Sequence, residues 1–443
     1  MENRKINVLV ITKSSWSDTN ASGNTLSNFF SNWNGFSFNN IYFQEEIADN
    51  GVCNNYLQFS EGQLVRKITK NVEFGLQYSK DQKEGLFRNP NYNNRVKNNK
   101  KIKDLAKKIN NKFLYLFREV LWFAGLINKK KIDRFITYTD PDIVFAFAAD
   151  PIYVQRVIRY VTAKSNAKLV LFFGDDVFSY KEVKLSSYIY QFLLRKTIKK
   201  SVAQATNIYG ASNKLCEEYR EYFGKDIKPL YKGCTFEELK LDKTNELPIR
   251  IVYAGNLFYG RDKILAKMAD EIVRINESIE KINLEIYTTT TITNEIDKNL
   301  NRGNSSKIMG SLPYEDIKKV LKSADIVLHV ESFDPNQIKI TRLSFSTKII
   351  DCMQSGSCMM AIGPDSIASI DYLLGIDGVI AVTDPSMIGD ELEKIVNDPD
   401  SLRLKTQKLA KFARENHDIC QMRHGLQKDF LELCSENRTE AGV

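Results

Sequence analysis

Histidine is nearly absent from this sequence: three in 443 residues, His329, His417 and His424. So few, so far apart, disfavour a histidine-based metal centre and a Ser-His-Asp triad. The seven cysteines are odd in number, scattered and without a C-x-x-C pair. That counts against a disulfide framework and a zinc site, and fits a reducing cytosol. No stretch approaches the roughly 18 uninterrupted apolar residues of a spanning helix. Residues 1–12 lack the basic flank, long apolar run and cleavage site of a signal peptide, and read as a first strand. No G-x-G-x-x-G follows that strand, which counts against a dinucleotide-binding first turn.

What is present is a globular composition, 43% hydrophobic and 27% charged, in a chain too long for one core. Two domains of about 200 residues each are expected. The net charge of +8 is local: residues 95–134 hold 13 Lys or Arg against 3 Asp or Glu, leaving the rest of the chain slightly acidic. Short apolar runs alternate with helical patterns, the signature of parallel sheets wrapped by helices. Strands are expected at 6–11, 41–43, 143–147, 169–173 and 208–210, with helices at 25–33, 100–127, 152–163 and 184–203. The pattern restarts with strands at 249–253, 284–288, 307–309, 326–330 and 359–362, and helices at 262–275, 314–323, 346–355 and 391–397. The polar segment 232–248 is the expected linker. It separates a first domain, 1–231, from a second, 249–400, with residues 401–443 as a terminal helix and tail that can return to the first domain. Two such α/β units predict a cleft between the carboxyl ends of their sheets.

The segment from Ser344 to Pro364 carries the most chemistry. Ser346 reads as an N-cap of a helix that stops at Gly356. Free N–H groups and the positive dipole end suit a diphosphate. Thr347 and Lys348 lie in the first turn, and Asp351 stands one turn deeper on the Thr347 face, placed to take two bonds from a ribose diol. A plain capped amphipathic helix is the alternative.

Here the sequence resembles the C-terminal domain of GT-B glycosyltransferases, in particular bacterial enzymes of polysaccharide and glycolipid assembly. Tyr253-Ala-Gly255-Asn256-Leu257, followed by Arg261 and Lys263, resembles the family's first C-domain strand and glycine loop, whose basic residues hold the donor diphosphate. Gly310-Ser-Leu312-Pro-Tyr resembles the loop whose backbone reads the nucleobase, and the run from Ala324 to Glu331 the strand that follows. The resemblance covers residues 200–430 and implies α/β class and GT-B architecture, two Rossmann-like domains with parallel sheets facing a central cleft. It places the ribose-binding acid on Asp351. The sequence departs from the Glu-x7-Glu motif of many relatives, because Leu343 stands eight residues before Asp351. Glu331 is the nearest acid, as a sugar contact or as a loop anchor paired with Arg342.

In the first half, the loop from Thr12 to Thr25 is expected at the cleft. Gly23 there permits a close backbone approach to donor phosphates or acceptor, or belongs to a capped surface loop. Asp175 and Asp176 follow a buried strand and face the same side. They fit a base or orienting group for an acceptor hydroxyl, structural caps, or a metal pair. Residues 95–134 mix lysines with Phe113, Phe117, Trp122 and Phe123, which suits an anionic membrane surface, or an ordinary helix with a solvated face, Trp122 then lying in the core. No nucleic-acid motif accompanies the charge, so nucleic acid is not expected as a partner. The expectation is a cytoplasmic enzyme, peripheral at the inner face of the cell membrane, without cofactor or metal. It moves a sugar from a nucleotide-sugar donor, UDP-linked, to a glycan or lipid-linked acceptor. A nucleotide-sugar 2-epimerase and a non-catalytic scaffold on the same fold are the alternatives.

Overall fold

The computed structural model describes residues 4–70, 73–88, 90, 112–124, 128–179, 185–236 and 247–440. The chain forms two compact units, one of Met1–Ala211, Cys216–Leu230 and Met422–Val443, the other of Ser212–Leu215 and Tyr231–Gln421. Part of the expected linker, residues 237–246, lies outside the described residues. So do residues 95–111 of the basic run and most of the N-terminal half of the helix expected at 100–127.

Among the described residues the first unit is built on eight strands: β1 Ile6–Thr12, β2 Phe36–Tyr42, β3 Cys53–Gln58, β4 Leu76–Ser79, β5 Ile143–Phe147, β6 Lys168–Phe173, β7 Asn207–Gly210 and β8 Lys228–Pro229. Their order is β4-β3-β2-β1-β5-β6-β7-β8, parallel except for the β3–β4 pair. Val8 to Ile11 and Ile143 to Ala146 are fully buried, as expected of central parallel strands covered on both faces. Strands β3 and β4 are not among the strands expected from the sequence. The polar residues of β2 and β3 are spent between strands: Asn40 Nδ2 donates to Val10 O at 3.0 Å and Asn55 Nδ2 to Asn39 Oδ1 at 2.9 Å. The Ile419–Glu440 helix belongs to this unit from Met422 onward. Phe430 on it lies 5.3 Å from the Trp33 ring.

Among the described residues the second unit has six strands, all parallel: β9 Ile249–Ala254, β10 Ile282–Tyr287, β11 Ser306–Gly310, β12 Ile326–Val330, β13 Cys358–Ile362 and β14 Val379–Val382. Their order, β11-β10-β9-β12-β13-β14, is the doubly wound 3-2-1-4-5-6 arrangement. Its topological switch point lies between β9 and β12, where ligands settle in such sheets. In the first unit the order reverses between β1 and β5.

Candidate functional site

The chain leaves β9 through Gly255 and Asn256 and enters the Arg261–Ile275 helix. Gly255 must be small, since a Cβ would lie 2.5 Å from the Tyr253 hydroxyl, which donates to Asn256 O at 2.6 Å. The Arg261 guanidinium turns back over the switch point. Its Nε donates to Val330 O at 3.0 Å, Nη1 to Asn256 Oδ1 at 2.9 Å, and Nη2 to both Glu331 carboxylate oxygens at 2.8 and 2.9 Å. Glu331 therefore pairs with Arg261 rather than with Arg342. Adjacent strand ends bring these two together, while Arg342 follows a separate short helix, Pro335–Thr341.

This pair is nearly dry, with side chains 14% and 4% exposed. Burial pushes the Glu331 carboxyl above its ordinary range, against the opposing pull of Arg261. His329 sits two residues earlier on β12, on the same face, as period-two alternation requires. Its Nε2 is 3.5 Å from Glu331 Oε1. Burial, then the charges of Arg261 and Lys348, push its pKa down to about 3, so the imidazole is neutral at pH 7.

Lys348 opens the Lys348–Gln354 helix. Burial of its ammonium end, then the like charge of Arg261, lower its pKa, although part of the residue remains exposed. Thr347 occupies the cap position with helical dihedrals and no side-chain cap bond. This corrects the expected cap at Ser346. The Ser346 backbone instead makes a tight turn, its carbonyl accepting from Ile349 N, while its N–H donates to Ser369 Oγ at 3.1 Å. The stop at Gly356 has φ +72°. Lys263 is exposed in the first turn of the Arg261–Ile275 helix.

Asp351 accepts from the Tyr314 hydroxyl at 3.0 Å and lies 3.8 Å from the Lys232 ammonium, whose side chain is only 8% exposed. Tyr314 begins the helix just past β11, so this bond ties Asp351 to the 310–314 loop. Gly310, at φ +84°, accepts at its carbonyl from Thr288 N at 2.8 Å, and Leu312 is exposed. Lys232 and Tyr314 are not legible as site residues in the sequence. Lys232 opens a polar linker, Tyr314 has the pattern of a plain helix start, and only tertiary packing brings them to Asp351.

In the first unit, Gly23 lies in the Ala21–Phe30 helix behind the cap Asn20. A Cβ there would collide with the Ser17 backbone, so the close packing of the loop on the helix requires glycine at this position. Asp176 is 5% exposed; its Oδ1 accepts from Phe178 N, Ser179 N and the Tyr219 hydroxyl at 2.8–3.1 Å. That oxygen holds the turn. Asp175 is exposed and accepts from Asp176 N at 2.8 Å. Asp150, absent from the sequence candidates, follows β5 at this sheet's switch point. The Tyr190 hydroxyl donates to it, the Arg118 guanidinium lies 3.6 Å away, and its side chain is 45% exposed.

No protein-family model and no curated protein matches the sequence. Its three-dimensional likenesses cover nearly the whole chain and define its class: the chain has the GT-B fold. HepE from Anabaena, solved with UDP and glucose, is similar at TM-score 0.60 and 10% identity over 96% of this chain and 100% of that one. Sucrose-phosphate synthase from Thermosynechococcus elongatus is similar at 0.61 and 10%, over 98% and 100%. A glycosyltransferase from Rickettsia africae is similar at 0.57 and 14%, over 97% and 98%.

Proposed function

We propose that the chain is a glycosyltransferase that takes a sugar from a UDP-sugar and places it on a hydroxyl of a lipid-linked or polysaccharide acceptor. One observation carries this reading. Groups suited to base, ribose and diphosphate follow one another along the carboxyl edge of the second sheet, from the β11 loop through Tyr314–Asp351 to Lys348 and Arg261 at the switch point. The solved relatives with UDP, or with UDP and glucose, support the donor class by analogy of fold.

In this reading Gly310 and Leu312 border the base and Asp351, held by Lys232 and Tyr314, takes the ribose diol. The bond from the sugar C1 to the diphosphate oxygen breaks, and the charge left on the diphosphate falls to Lys348, Lys263 and Arg261. The acceptor oxygen bonds to C1 and gives its proton to a general base, and Asp175 and Asp150 on the first unit are proposed as acceptor-binding carboxylates. Thr347 lines the phosphate end at the start of the Lys348–Gln354 helix, with Ser346, its N–H held by Ser369, just before it, and Glu331 lies beside the sugar. The enzyme works in the cytoplasm at an anionic membrane surface met by residues 95–134.

A thermal-shift screen with UDP-, GDP-, CMP- and dTDP-sugars tests the donor, with stabilisation by UDP-sugars expected. Release of UDP only when an acceptor glycolipid is added confirms transfer. Conversion of the nucleotide sugar without acceptor instead identifies an isomerase, and binding without turnover a scaffold.

A further inference from the structure

Two exposed aromatic rings stand on the loop between β9 and the Arg261–Ile275 helix: Phe258 at 58% and Tyr259 at 43%. Tyr259 has φ +62°, a left-handed conformation that costs a bulky residue energy and persists only where the surroundings enforce it. They do enforce it. Leu257 is buried and its N–H donates to Thr290 Oγ1 at 3.0 Å. Phe258 N donates to Asn256 Oδ1 at 3.2 Å. Gly260 follows at φ +77°, and a Cβ on it would lie 2.7 Å from Ser332 Oγ. The chain therefore holds a strained tyrosine out at the surface where an unstrained glycine fits the backbone.

The position of that ring indicates what it meets. The Arg261 guanidinium lies 5.7 Å from its centroid, and the same guanidinium binds Glu331. The groups suited to base and ribose lie toward the β11 edge, whereas Tyr259 belongs to the switch point between β9 and β12. A nucleoside diphosphate running from Tyr314 and Asp351 to Arg261 brings its terminal substituent, not its base, beside Tyr259. We propose that Tyr259, with Phe258 beside it, is the platform for the pyranose ring of the nucleotide sugar, a step that rests on the second unit being the donor site. The C–H face of a pyranose packs on an aromatic face, as apolar surface does generally, while the sugar hydroxyls remain for polar neighbours such as Glu331.

Calorimetric titration of the full chain with UDP, UDP-glucose and UDP-N-acetylglucosamine tests this in wild type, Tyr259→Ala, Tyr259→Gly and Tyr259→Phe. UDP affinity is expected to stay within about twofold in every variant, while the tighter UDP-sugar loses about 5- to 30-fold in the alanine and glycine variants and recovers with phenylalanine. Tyr259→Gly should melt no lower than wild type, because glycine adopts the left-handed backbone freely. That combination separates a lost contact from a damaged fold. Equal weakening of UDP and UDP-sugar places the ring against base or phosphate and overturns the proposal, as does unchanged binding of both. Wild type that binds none of the three ligands instead overturns the donor reading itself.

Discussion

At the scale of single residues, the contrast between Asp351 and Arg261 decides how the site should be probed. Asp351 accepts from Tyr314 and faces Lys232 across 3.8 Å, so its removal strips a charged acceptor without opening the core. Asp351→Ala is expected to weaken UDP binding by about 1–3 kcal/mol, the scale of hydrogen bonds to a charged group, as titration of the folded variant will show. Lys232→Met should cost less alone, and a double-mutant cycle should give a coupling of about 0.5–3 kcal/mol, as expected for neighbouring charges. Additive effects would separate Lys232 from the site. Arg261 differs, although the sequence suggests a diphosphate ligand of the same kind as Lys348. All three of its nitrogens are engaged, and Arg261→Ala leaves Glu331 buried without its counter-ion. Removing one partner of so dry a pair destabilises by about 3–5 kcal/mol. Arg261→Ala is therefore expected to lose stability in denaturant unfolding as well as turnover. Lys348→Ala, which breaks no ion pair that the structure records, should lower turnover with little change in stability.

At the scale of elements, β12 and the Ser401–His417 helix each carry a buried histidine with an acid-side signature. Burial first, then neighbouring cations, push His329 down to about 3, and burial pushes His417 down to about 4. The unfolded chain binds protons at both sites near pH 6.5 while the folded chain does not. Stability linked to them is thus complete above that value and is lost as pH falls toward 4 and 3. Glu331, raised by burial, acts in the opposite sense: its contribution is present below its unfolded value and declines as pH rises through its folded one. The histidines should dominate between pH 6.5 and 5, with unfolding free energy falling by up to about 1.4 kcal/mol per pH unit for each. Urea titrations at pH 7, 6 and 5 measure this, and His417→Gln should flatten the slope. The same elements show why the sequence is only partly legible. β1, β5, β9 and β12 are buried on both faces and announce themselves as apolar runs. β3, with Asn54 and Asn55, does not, because its polar side chains are satisfied across the sheet. The Gly255–Arg261 loop and the Lys348–Gln354 helix are visible as local patterns, whereas the Arg261–Glu331 pair, the Lys232 contact and the place of Asp150 arise only when strands distant in sequence become neighbours.

At the scale of the whole molecule, the remaining issue is where the protein works, and charge and exposed apolar surface point the same way. Residues 95–134 carry a local +10. Within that run the Lys112–Ala124 helix exposes Phe117, Val120 and Phe123 at 55%, 59% and 64%, spaced three apart on one face. The Leu185–Gln204 helix of the same unit exposes Tyr188, Ile189, Phe192 and Leu193. Trp122 takes no part in this surface: it is buried, stacked 4.0 Å from the Tyr153 ring. Among the described residues no helix is long and apolar enough to cross a membrane. Each lysine near an anionic bilayer adds on the order of 1 kcal/mol, an attraction that fades within a Debye length of about 8–10 Å. Exposed rings add apolar insertion that salt does not screen. Binding to phosphatidylserine-containing vesicles is therefore expected to weaken, but not vanish, as salt rises. Replacing Lys100, Lys101, Lys103, Lys107 and Lys108 with Gln should remove the salt-sensitive part and leave the melting temperature nearly unchanged. Phe117→Ser with Phe123→Ser should remove the salt-resistant part. Wild type that stays in the supernatant with such vesicles at low salt would overturn the membrane reading and turn the search toward a soluble acceptor.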